Sequence, residues 1–83
     1  MLTVSVVSPE RTLYEGEAES IVAPAFDGQV GILTNHAPML TLLGTGELRL
    51  TASGGDRKFT VSGGVLEVAD NRVRVVTERA EGG

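Results

Sequence analysis

The sequence has no cysteine, no tryptophan, one histidine, one tyrosine and two phenylalanines in 83 residues. Without cysteine there is no disulfide and no thiolate-bound zinc. With a single histidine, His36, no site built on several imidazoles can form within one copy, and the carboxylate spacings match no calcium loop. No apolar run approaches the roughly 20 residues of a membrane-spanning helix. The opening MLTVSVVSPER lacks both the basic start and the long apolar centre of a signal peptide. These features lead to the expectation of a soluble chain, cytoplasmic by default. Bases are scarce in the first half: residues 1–43 hold Arg11 alone against five acids, and residues 44–83 balance at six of each sign, so the net charge of −4 lies in the first half. No basic stripe forms, and with Tyr14, Phe26 and Phe59 as the only aromatics, nucleic-acid binding is not expected. The acidic half suits a basic partner or, more simply, solvated strand faces.

What the sequence does contain is alternation of apolar and polar residues at period two. Leu2, Val4 and Val6 alternate with Thr3 and Ser5, and Ser8-Pro9-Glu10-Arg11 forms a turn with proline in its favoured second place. Leu13–Ala18 reads as a weaker acidic strand, and Ser20–Ala23 as another, ended or placed at an edge by Pro24. Glu47–Thr51 is a half-buried strand, Ser53–Asp56 a hairpin loop, and Lys58–Val61 a strand with Phe59 and Val61 inward. Ser62-Gly63-Gly64 interrupts that strand. Val65–Ala69 and Val73–Thr77 then pair across the Asp70-Asn71 turn. Turns recur about every eight to twelve residues, and no helical period exceeds two turns, which predicts an all-β sandwich or barrel. The length gives one domain over 1–83 that buries roughly 60–65% of its unfolded surface. Residues 78–83 read as a loose polar tail.

The stretch Asp27–Leu43 organises the rest. Asp27-Gly28 favours a tight hairpin with positive φ. In Gln29–Leu33, Val30 and Ile32 share one face while Gln29, Gly31 and Leu33 share the other. Gly31 marks a bulge or a close backbone approach. Thr34–Pro38 is a polar corner holding His36, and Met39–Leu43, apolar at four of five positions, reads as a strand covered on both faces.

Two constellations imitate chemistry. Ser62 beside Gly63-Gly64, with His36, Asp27 and Asp56, contains the parts of a triad, but a triad needs defined geometry and a concave site, which a small filled β domain does not offer. Gly44-Thr45-Gly46 lacks the third glycine and the helix of a dinucleotide fingerprint. Neither is expected to act, so the chain is not expected to be an enzyme. A free-standing sandwich that binds a small ligand or a carbohydrate is the alternative, disfavoured by the shortage of aromatic platforms.

Three ordered motifs, Asp27-Gly28-Gln29-Val30-Gly31-Ile32-Leu33, His36-Ala37-Pro38-Met39-Leu40-Thr41 and Ser62-Gly63-Gly64-Val65-Leu66-Glu67-Val68, together with the opening Val6-Val7-Ser8-Pro9-Glu10, resemble the F-type ATP synthase epsilon subunit family in content and spacing. The resemblance implies a flattened antiparallel β-sandwich of about ten short strands. It also implies a non-catalytic rotor subunit of the central stalk, without cofactor or metal, that links the gamma subunit to the polar loops of the c-ring. Such a subunit couples proton translocation to ATP synthesis at the cytoplasmic face of the inner membrane, touching the membrane only through the complex. Carried over position by position, Gln29 and His36 fall on the c-ring side, and Ser8 and Thr41 on the gamma side. Position 29 is acidic in many relatives, and position 35, here Asn35, is often glycine. Family members commonly continue past the position of Ala80 into a two-helix hairpin that can inhibit hydrolysis. This sequence stops at Gly83, and the expectation is a chain that couples without braking.

Overall fold

The computed structural model describes residues 1–82, and every regular element among them is a strand. The order is β1 (Leu2–Val7), β2 (Thr12–Ala18), β3 (Ser20–Ala25), β4 (Gly28–Leu33), β5 (Met39–Leu42), β6 (Thr45–Ala52), β7 (Gly55–Ala69) and β8 (Arg72–Gly82). They form one hydrogen-bonded sheet ordered β2-β1-β8-β7-β6-β3-β4, with β5 also paired to β7. The fold class is the all-β sandwich read from the sequence, with eight strands instead of about ten.

The difference in count comes from two strands that are long rather than short. Ser62-Gly63-Gly64 does not interrupt a strand, because β7 runs through it for 15 residues. Before the glycines β7 pairs with β6, from Gly55 opposite Ala52 to Ser62 opposite Thr45. After them it pairs with β5, from Val65 opposite Leu42 to Val68 opposite Met39. β8 follows β7 in one unbroken register through the bend, from Ala69 opposite Arg72 to Phe59 opposite Gly82. The two long strands therefore belong to both layers, and the sheet folds over on itself to make the sandwich. Residues 78–82, read from sequence as a loose tail, are paired strand here, and Ala80 packs against the core. Gly83 lies outside the described residues.

Glycine is required at the bend by close packing. Gly64 has φ 119, and a Cβ there would run into the Val76 carbonyl oxygen and lie 2.8 Å from Thr77 Cα. Gly31 behaves otherwise: nothing lies within 4 Å of the place its Cβ would take, so neither bulge nor close approach explains it. At the second corner the Gly44 amide donates to the Pro24 carbonyl at 2.7 Å, and the Leu43 amide to the Gly64 carbonyl at 3.0 Å. Pro24 stands beyond Val22, where the pairing of β3 with β6 ends. Hence the missing proline donor interrupts no ladder on that side.

The alternating residues fill the space between layers. Leu2, Val4 and Val6 of β1, Leu48 and Leu50 of β6, Phe59 and Val61 of β7, and Val73 and Val75 of β8 are buried. The side-chain period of two puts each set on one face, and its burial drives the closure. All pairs are antiparallel except β1 with β8, which run parallel from Thr3 opposite Arg72 to Val7 opposite Val76.

Candidate partner-binding surface

The reading of Met39–Leu43 as a strand covered on both faces is corrected by the structure. β5 pairs with β7 on one side only, Leu43 is buried, and Leu40 and Leu42 stand 69% and 59% exposed on its outer face. Those two leucines continue into a row across the sheet. Leu42 lies opposite Val65, Val65 opposite Val76, and Val76 beside Val7. Val65 and Val76 are each 37% exposed, and Val7, outward on β1, is half-buried. Phe26 extends the row at the β5 end, its amide donating to the Leu42 carbonyl at 3.1 Å while its ring is 67% exposed. Four strands at about 4.8 Å spacing make the row roughly 14 Å long. The next row, Leu40, Glu67, Arg74 and Ser5, is apolar only at its β5 end. A contiguous apolar patch of this kind on a sheet face is the usual mark of an interaction site.

Two of the residues taken from the sequence flank this row. Thr41 lies on β5 between the two exposed leucines, opposite the buried Leu66, and lines a shallow hollow with Phe26, Leu40, Leu42 and Val65. Ser8 directly follows Val7 and closes the β1–β2 turn. Its hydroxyl donates to the Arg11 carbonyl at 3.2 Å and accepts from the Arg11 amide at 3.3 Å, and its own amide donates to the same carbonyl at 2.9 Å. The serine hydroxyl thus has a local role in shaping the turn.

The other two residues lie at opposite ends of β4, the far edge of the sheet. Gln29 is exposed and pairs with Pro24 beside the hairpin tip. His36 lies just past Leu33, four strand residues and about 13 Å further on. Its amide donates to the Leu33 carbonyl at 3.1 Å. Its Nδ1 lies 2.7 Å from the Ala37 carbonyl, which can only accept, so Nδ1 is the donor in this contact.

The corner that carries His36 is tied to a distant hairpin. Asn35, with φ 69, donates its amide to Asn71 Oδ1 at 2.6 Å, and Asn71 Nδ2 donates to Asn35 Oδ1 at 3.2 Å. Electrostatics elsewhere are mild. Arg49 donates to Glu47 Oε1 at 2.7 Å, which holds the Glu47 carboxyl below its ordinary range. Arg57 lies over the rings of Tyr14 and Phe59, at 5.4 and 5.8 Å from their centres. Asp27, Asp56, His36 and Ser62 share no hydrogen bond or ion pair among the described residues. No group of acidic, histidine or cysteine side chains among those residues can hold a metal ion. No helix there is long and apolar enough to cross a membrane.

Sequence reasoning missed Phe26, Leu40, Leu42, Val65 and Val76 as surface residues. The available signal was apolar residues at both parities of β5, in a strand short of neighbours to cover both faces.

Residues 1–83 match the family described as "ATP synthase, Delta/Epsilon chain, beta-sandwich domain". The chain belongs to that family. Its relatives include the ATP synthase epsilon chain of Syntrophomonas wolfei, 47% identical over 81 residues, covering 96% of this chain and 59% of the relative. The epsilon chain of Synechococcus is 45% identical over 82 residues, covering 99% and 60%. The chain thus spans about three fifths of the length of these Delta/Epsilon relatives. Its fold matches a chain in the cryo-EM structure of the Euglena gracilis mitochondrial ATP synthase, OSCP/F1/c-ring, with TM-score 0.89 at 23% identity, covering 98% of this chain and 52% of that one. A chain of the Tetrahymena thermophila central stalk/c-ring structure matches with TM-score 0.81 at 20% identity, covering 98% and 66%.

Proposed function

We propose that this Delta/Epsilon-family domain is a non-catalytic rotor subunit of an F-type ATP synthase, linking gamma to the c-ring and coupling proton translocation to ATP synthesis. It sits peripherally, on the cytoplasmic face of the membrane, and meets the membrane only through the complex. The observation that carries the reading is the apolar row Leu42–Val65–Val76–Val7. It joins the neighbour of Thr41 to the neighbour of Ser8, the two residues assigned to the gamma side, and it is bare in the isolated chain. Gamma covers this row. Gln29 and His36, on the β4 edge, meet the polar loops of the c-ring. Family membership supports the complex as the setting, since the curated relatives are themselves epsilon chains.

The test is co-purification. Leu42→Glu places a charge on the row at a 59% exposed position and leaves the melting point nearly unchanged. The expected result is at least about a tenfold loss of gamma recovery, because burying an unpaired charge in an interface is costly. Gamma recovered at full stoichiometry would overturn the gamma side of the proposal. Gln29→Lys with His36→Glu should weaken assembly onto the ring while gamma recovery persists, and undiminished ring assembly would remove those residues from the ring contact.

A further inference from the structure

The Asn35–Asn71 pair joins two turns separated by 36 residues in sequence, and both partners have left-handed backbones, at φ 69 and φ 60. Asn71 does more than this. Its carbonyl accepts the Thr3 amide at 2.8 Å, so one residue touches the start of β1, the β7–β8 hairpin and the β4–β5 corner. Asparagine tolerates this backbone conformation, as glycine does, but glycine would leave the side-chain contacts unmade. The corner has few other anchors: Thr34, Asn35, Ala37 and Pro38 are exposed, and His36 is half-buried. β4 is the sheet's last strand, so none of the described residues pairs with its outer side.

We infer that Asn71 is a positioning residue for the partner-facing corner. Its carboxamide grips Asn35 through both of that residue's nearby polar groups, and so sets where His36 is presented. The backbone amide bond at 2.6 Å fixes the position of the turn, and the longer amide-to-carbonyl bond fixes its orientation. This rests on the reading of His36 as a contact residue, although the clasp itself does not.

The experiment compares Asn71→Gly, Asn71→Asp and His36→Glu in the same chain. Glycine keeps the left-handed backbone at position 71 while deleting both side-chain bonds, and aspartate keeps the acceptor for the Asn35 amide. In Asn71→Gly, hydrogen exchange at the Asn35 amide should accelerate about tenfold while the core amides of Val61 and Leu66 keep their protection. Asn71→Asp should restore most of that protection. Assembly of the complex onto the c-ring should weaken several-fold in Asn71→Gly and recover in Asn71→Asp. If the Asn35 amide exchanges at the same rate in all three variants, the clasp does not hold the corner and the inference is wrong. If His36→Glu weakens ring assembly and Asn71→Gly does not, the corner is a contact but Asn71 does not position it. If neither variant affects assembly while exchange at Asn35 accelerates, the contact reading of His36 fails and the positioning role for a partner goes with it.

Discussion

The Thr77 hydroxyl lies 3.0 Å from the Gly63 carbonyl oxygen, so a side chain of β8 holds the backbone of β7 at the place where both strands cross between layers. The same hydroxyl lies 2.8 Å from the Arg79 carbonyl. Thr77 is the one polar residue buried with the core among the described residues, at 1% exposure. The bend thus has a glycine on one strand and a satisfied hydroxyl on the other.

Thr77→Val keeps the shape and removes the donor. The one hydroxyl proton is shared between the Gly63 and Arg79 carbonyls, so a single donor is lost from a part-buried place, and the expected cost is about 1–3 kcal/mol, measured as a lower denaturation midpoint with an unchanged slope. Thr77→Ser keeps the hydroxyl and should cost less than about 1.5 kcal/mol, the range of a single deleted methyl. An unchanged midpoint in Thr77→Val would show that the hydroxyl contributes nothing.

Gly64→Ala is expected to cost about 3 kcal/mol or more, because φ 119 is unfavourable for alanine and the added methyl meets the Val76 carbonyl. Gly31→Ala, where no atom lies within 4 Å of the new methyl, should be neutral or stabilise by up to about 1 kcal/mol through the unfolded state. Paired melting curves decide it, and similar melting points for the two would remove the steric account of the bend.

Glu47 and Arg49 give a pH prediction of known sign. The hydrogen bond from Arg49 lowers the Glu47 carboxyl, with the Arg49 and Lys58 charges acting in the same direction. A carboxylate lowered on folding adds stability above its ordinary range and loses it as pH falls through the lowered folded value. Both side chains are about half exposed, so the effect on stability is small and salt screens it. NMR titration of Glu47 should move upward in Arg49→Gln and in high salt, and a midpoint insensitive to both would exclude the pair as its cause.

The core was legible because burial in a sandwich is a period-two property. Val4, Leu48, Phe59 and Val73 occupy the inward places that alternation assigns them. The Asp70-Asn71 turn was legible for a similar local reason, since both residues take the positive φ a tight hairpin asks for. Gly63-Gly64 was misread as a break because a glycine pair has the same local signature whether a strand stops or bends. Only the register of β8 alongside it tells the two apart. Leu40 and Leu42 were misread as buried because a sequence records the need for cover without saying whether it comes from the same chain. The Asn71 clasp depends on contact between turns 36 residues apart, which no local pattern encodes. Of the surface residues, Ser8 and Thr41 were reached through family resemblance, and the row joining their neighbours emerged only from strand pairing.

The parallel pairing of β1 with β8 also governs how the chain reaches this structure. Thr3 lies opposite Arg72, so within this domain the strand made first docks against the strand made last. Until then β1 has only β2 beside it, an acidic hairpin of marginal stability in water. Closing a loop of this length is entropically costly before its contacts form, and topologies with such distant partners fold in milliseconds to seconds rather than microseconds. The domain should therefore acquire cooperative structure only after β8 is released from the exit tunnel. Nascent chains halted before Arg72 should remain protease-sensitive from end to end.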